Sequence, residues 1–214
     1  MKTKLIPAIN SQNLSDIKNK ISLLKTATSY FHLDVASIET TGYQTWHDYQ
    51  ELEELTDYFF DLHLMIKLKP QEIFKWSKKN IKNLILHLEY TSYPDGLLRF
   101  AKKTKKLIYL SWPPQLEFDF IKKYLNFVNG LLILGVEPGK SGQKFLETTY
   151  QRIALSKKYL KSHQKLMIDG GLNKENLKKI LTYQPDIIVM ASAIYNASDP
   201  LQEYLTIQNL ISNN

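Results

Sequence analysis

Residues 30–37, YFHLDVAS, set a histidine and an aspartate two residues apart inside an apolar, β-favouring run. Side chains alternate across a strand, so His32 and Asp34 point to the same face. Ionisable groups on the inward face of a buried strand are costly unless they pair or bind something. The surrounding sequence repeats this texture. Seven further apolar runs follow the same pattern: KLIPAI, YFFDLHLMI, NLILHLEY, KLIYLSW, LLILGVEP, KLMIDGG and DIIVMASAIY. Amphipathic segments separate them, among them LSDIKNKISLLKTA, PQEIFKWSKKN, EFDFIKKYLNFV and NKENLKKILTYQ. Pro70 suits a first helical turn, and Asn173 with Asn176 three residues on opens a capped helix. Near-continuous apolar strands mark a parallel sheet covered by helices. Eight strands, each followed by a helical or loop-helix segment, predict an α/β fold, a single (β/α)8 TIM barrel; an open doubly wound sheet is the alternative.

Bulk properties narrow the function classes. A length of 214 residues without linker or low-complexity tract predicts one domain over residues 1–214. The absence of cysteine excludes disulfides and thiolate chemistry. No run reaches membrane-span length and the first residues lack a signal-peptide core, so a cytoplasmic protein with no membrane partner is expected. The net charge of +7 comes from lysines dispersed along helical patterns, with only Arg99 and Arg152 as arginines. Dispersed lysines make a solvated face, and a nucleic-acid partner is not expected.

In a barrel of this kind, function sits at the C-terminal strand ends. The second run ends with His32 and Asp34, the third with Asp61 and His63, and the seventh with Asp169 before Gly170 and Gly171. Imidazoles and carboxylates converging from three strands suit a divalent metal. The sixth run enters the turn GVEPGKSGQKF and the eighth ends in VMASAIYN. Gly139, Gly142, Gly170 and Gly171 permit close backbone approach, so these late loops predict a phosphate grip through N–H groups, including those of Ala191 and Ser192.

The blocks PAINS, FHLDV, DLHLMI, GVEPGKSGQKF, IDGGLNKEN and ASAIYNASDP together resemble the ribulose-phosphate 3-epimerases in order and spacing. The resemblance implies one divalent metal (zinc, iron, manganese or cobalt) on His32, Asp34, His63 and Asp169. Asp34 and Asp169 are then the catalytic acid and base, transferring a proton at C3 through an enediolate. The substrate-binding set is His63, Gly139, Lys140, Ser141, Gly142, Gly170, Gly171, Ala191 and Ser192. The implied substrate is a small phosphorylated sugar, D-ribulose 5-phosphate interconverting with D-xylulose 5-phosphate in the pentose phosphate pathway. Two alternatives are a ketohexose 6-phosphate such as allulose 6-phosphate, and non-catalytic sugar-phosphate binding. A homo-oligomer is left open. The chain departs from the family pattern at Ala8, where a substrate-contacting serine stands, and at Val35, Ala36, Ser37 and Ile38, where a methionine lies against the substrate. The phosphate turn reads Gly139, Lys140, Ser141 and Gly142 in place of a glycine- and phenylalanine-bearing turn, and Ala191 replaces a glycine.

Other residues carry lesser expectations. His87 and Glu89 point inward at the end of the fourth strand, as a supporting pair for the site or a satisfied core pair. Asp61 shares the face of His63 and orients it. Phe74 and Trp76 cover the barrel, while His47 and His163 are solvated.

Overall fold

The strands form where apolar, β-branched and aromatic residues run together, and the helices where polar residues interrupt them at helical spacing. The structure, a computed structural model, describes residues 2–213; Met1 and Asn214, the ends of the expected domain, lie outside the described residues. Eight strands run in order around a closed barrel: β1 (Lys4–Ile9), β2 (Tyr30–Ala36), β3 (Phe59–Met65), β4 (Ile81–Leu86), β5 (Leu107–Trp112), β6 (Gly130–Leu134), β7 (Lys165–Asp169) and β8 (Ile187–Met190). Every neighbouring pair is parallel, and β8 returns to β1. This is the (β/α)8 barrel that the alternation predicts; the open sheet is excluded because the ring closes.

Outside the ring lie α1 (Leu14–Leu24), α2 (Ile38–Thr41), α3 (Ile73–Trp76), α4 (Pro94–Lys103), α5 (Phe118–Tyr124), α6 (Thr148–Lys157), α7 (Lys174–Leu181), α8 (Ser192–Tyr195) and α9 (Pro200–Ser212). The start signals hold: Pro70 opens a 3-10 turn leading into α3, and Asn173 and Asn176 form a reciprocal capping box on α7. The β2–β3 connection carries only the four-residue α2 and a 3-10 turn over Glu51–Leu55. No described helix is long and apolar enough to cross a membrane.

Alternation divides each strand between two cores. Phe31, Leu33 and Val35 pack outward among the helices, while Ile6, Ala8, Ile85, Tyr109, Leu132, Met167 and Val189 fill the barrel. His32 and Asp34 therefore face the barrel axis. Arg152 from α6 is buried and donates to the carbonyls of Trp112 at 3.0 Å and Leu134 at 2.5 Å, tying the ends of β5 and β6 beneath the mouth.

Two peripheral expectations need correction. Phe74 is 44% exposed and meets the ring of Phe100 edge-on, whereas Trp76 is buried against Trp46 and Tyr49. Residues two apart on a helix point in nearly opposite directions, so only one of the pair can face the core. β4 ends at Leu86, so His87 and Glu89 lie just beyond it, with Glu89 in a 3-10 turn over Leu88–Tyr90. His47 and His163 are exposed, as expected.

Candidate active site

Register builds the site. Ala8 pairs with His32, His32 with Asp61, and Asp34 with His63. Across the mouth, Leu134 pairs with Asp169 and Asp169 with Val189. His32, Asp34, His63 and Asp169 are all buried, and one ligand atom of each falls within 4.8 Å of all the others. Asp34 Oδ1 lies 3.1 Å from His63 Nδ1 and 3.4 Å from His32 Nε2; Asp169 Oδ2 lies 3.7 Å and 3.9 Å from the same nitrogens. A tetrahedron with arms of ~2.1 Å has edges of about 3.4 Å, so these donors already span a zinc-sized coordination sphere. Neither ring nitrogen of His32 has a hydrogen-bond partner among the described residues. A buried imidazole in that condition is costly, and a cation at Nε2 relieves half of the deficit. The four residues fit a divalent metal in donor type, burial and spacing.

The electrostatics agree. Burial opposes ionisation of Asp34, but His32 and His63 outweigh it and hold its carboxyl well below the usual range. Burial, reinforced by the neighbouring charge of Asp34, pushes Asp169 up to about 7. Burial also disfavours charge on His32, yet Asp34, Asp169 and Asp61 overcome it and raise its pKa to about 9. Burial lowers His63 to about 4, with Asp34 opposing and His87 assisting. A doubly charged cation would take the place of protons in balancing this cluster.

His63 is held from behind. Its Nε2 lies 2.9 Å from His87 Nε2, and His87 Nδ1 lies 2.6 Å from Glu89 Oε1. The His87 and His63 rings meet edge to edge through their Nε2 atoms, their centroids 5.1 Å apart, and the Tyr90 ring lies parallel to His87 with its centroid 5.0 Å away. This chain, and not Asp61, orients His63. Asp61 accepts a hydrogen bond from Tyr30 Oη, one layer deeper in the barrel beside His32, because its register places it a full pleat below His63.

Above the cluster a cleft opens, lined by Asp34, His63 and Asp169 at its floor. Its walls bring together all of Gly139, Lys140, Ser141, Gly142, Gly170, Gly171, Ala191 and Ser192. Gly171 has φ +69°, and a Cβ there would stand 2.7 Å from Phe145 N, so only glycine lets the two loops meet. Lys140 and Ser141 are exposed at the rim. Ala8 is buried inside the barrel beside His32 and does not line the cleft. Asn10, two residues further along the same face, does. Sequence reading passed over Asn10; the alternation from Ala8 was the signal that points to it.

The sequence profile of the Ribulose-phosphate 3 epimerase family matches residues 4–195. A Ribulose-phosphate 3-epimerase of Buchnera aphidicola is 26% identical over 202 residues, covering 90% of this chain and 89% of the relative. One from Helicobacter pylori is 23% identical over 201 residues, covering 92% of each chain. Among solved structures, KGPDC from Streptococcus mutans superposes with a TM-score of 0.77 at 10% identity, over 100% of this chain and 99% of that one. That last likeness is one of fold. With a profile match running from the first strand to the short helix after the last, the chain belongs to the ribulose-phosphate 3 epimerase family.

Proposed function

We propose that this chain, acting as a single barrel domain, is a metal-dependent epimerase that interconverts D-ribulose 5-phosphate and D-xylulose 5-phosphate. One observation carries the reading: two carboxylates, Asp34 from β2 and Asp169 from β7, meet with two imidazoles at the floor of a cleft walled by glycine-rich late loops. His32, Asp34, His63 and Asp169 would hold the ion. When bound, a divalent ion supplies Lewis acidity and positive charge at the cleft floor.

The chain's own groups do the rest. The backbone N–H groups of residues 139–142, 170–171 and 191–192 grip the phosphate, with Lys140 and Ser141 at the rim. This fixes the sugar by its unreactive end and sets C3 between the carboxylates. One carboxylate removes the C3 proton, giving an enediolate. The other, as a carboxylic acid, returns a proton to the opposite face, and the roles reverse in the other direction. Burial of both carboxyls at the cleft floor limits their contact with bulk water. The same family membership and the same cluster support the divalent ion as the cofactor and a small sugar phosphate as the ligand.

The test is metal analysis of protein purified without chelator, then a coupled epimerase assay and solvent-deuterium exchange. About one divalent ion per chain, turnover of ribulose 5-phosphate and deuterium at C3 are expected. A metal-loaded protein that neither turns over nor exchanges C3 refutes the reading.

A further inference from the structure

The two oxygens of Asp34 are treated differently. Oδ1 faces His63 and His32, while Oδ2 accepts a hydrogen bond from Asn10 Nδ2 at 3.2 Å. The same Asn10 nitrogen donates to the carbonyl of Gly139 at 2.9 Å. One primary amide carries two N–H groups, so both bonds form at once. A single side chain therefore joins a proton-transfer carboxylate to the first residue of the phosphate turn, although 129 residues separate Asn10 from Gly139.

The bridge is built, not incidental. Ala8 pairs with His32 and Ile9 with Leu33, so one further step sets Asn10 level with Asp34 on the neighbouring strand. Its backbone is anchored by Lys20 Nζ of α1, which donates to the Asn10 carbonyl at 2.8 Å and to Ser11 Oγ at 3.0 Å. On the other side, Gly139 packs against α2: a Cβ added there would come within 2.9 Å of Thr41 Cβ. Gly139 is held between Asn10 and Thr41.

We propose that Asn10 is a positioning residue that couples the phosphate grip to the acid–base carboxylate. Its effect on catalysis rests on the epimerase reading of Asp34 given above; its hold on the turn does not. The amide occupies one lone pair of Oδ2 and sets the carboxylate plane, leaving the other lone pair directed at the cleft. Closing the turn on a phosphate pulls on Gly139, and through the amide this fixes the oxygen that meets C3. Binding energy from the phosphate is thereby converted into orientation at the reacting carbon.

The test compares wild type with Asn10→Leu, which keeps size and removes both donors, and with Asn10→Gln, which restores an amide on a longer stem. Bound metal, melting temperature, kcat, KM and the Kd for inorganic phosphate are measured for each. For Asn10→Leu the expected result is unchanged metal content and melting temperature, kcat lower by roughly 10- to 100-fold, as for loss of a hydrogen bond to a charged group, and phosphate Kd several-fold higher. Asn10→Gln should recover part of both. Asn10→Leu with wild-type kcat and phosphate affinity overturns the proposal, as does a loss of rate that tracks loss of metal. A metal-loaded wild type with no epimerase turnover defeats instead the reading of Asp34, and the phosphate Kd still decides whether Asn10 holds the turn.

Discussion

Replacing His87 tests how the site is held from outside the cleft. Between His63 Nε2 and His87 Nε2, 2.9 Å apart, there is room for one hydrogen. If His63 Nδ1 ligates the ion, that hydrogen belongs to His63 Nε2, His87 Nε2 accepts it, and His87 Nδ1–H donates to Glu89 at 2.6 Å. His87→Phe keeps a flat ring parallel to Tyr90, whose centroid lies 5.0 Å away, but sets a C–H where Nε2 accepted and so leaves the His63 N–H without an acceptor. An unsatisfied buried donor costs about 1–3 kcal/mol, so metal affinity should fall roughly 10- to 100-fold. Glu89→Gln keeps an acceptor and loses only the charge assistance, about 1 kcal/mol or about fivefold. Competition against a chromogenic chelator with cobalt or zinc measures both constants, and the cobalt spectrum reports whether the coordination geometry persists. His87→Phe binding within threefold of wild type, with an unchanged spectrum, refutes the relay.

Asp34→Asn and Asp169→Asn should each abolish turnover, because an amide cannot carry the proton; metal content measured beside the rate separates this from loss of the ion, and a metal-loaded variant with retained activity counts against the two-base scheme. Gly171→Ala should destabilise the fold by about 2–4 kcal/mol, combining the cost of φ > 0 for alanine with a clash against backbone, and should raise the phosphate Kd; denaturant unfolding and phosphate titration check it. Chelation should lower the melting temperature by about 5–10 °C when the free ion otherwise stands near 100 times its Kd, and a scan with and without chelator reads this directly. Ser192→Pro, which removes one N–H of the grip at the first position of α8, where proline is tolerated, should raise both KM for the sugar phosphate and the phosphate Kd, read from steady-state kinetics and phosphate titration.

The barrel was legible because its evidence is periodic and local. Continuous apolar strands between polar-interrupted helices can satisfy their backbones and bury both faces in few ways. His32 and Asp34 were assigned to one inward face by alternation alone, and His63 and Asp169 by their places at strand ends. Phe74 is exposed because residues two apart on a helix point in nearly opposite directions, and Trp76 takes the buried side. Asp61 went astray because alternation gives the face of a residue and not its depth: it shares the face of His63 but lies one layer down, with Tyr30.

Depth, and contact between distant segments, are set by interstrand register and loop packing, which no local pattern encodes. The alternation, the inward faces, the strand-end imidazoles and carboxylates and the glycines of the late loops are thus readable along the chain, and the family resemblance singles out four donors among them. Barrel closure is what brings those donors within 4.8 Å of one another, sets His87 and Glu89 behind His63, and lets Asn10 bridge Asp34 to Gly139. The physical reason is that periodicity is a property of neighbours in the chain, whereas a site is made by residues that meet only after the ring has closed.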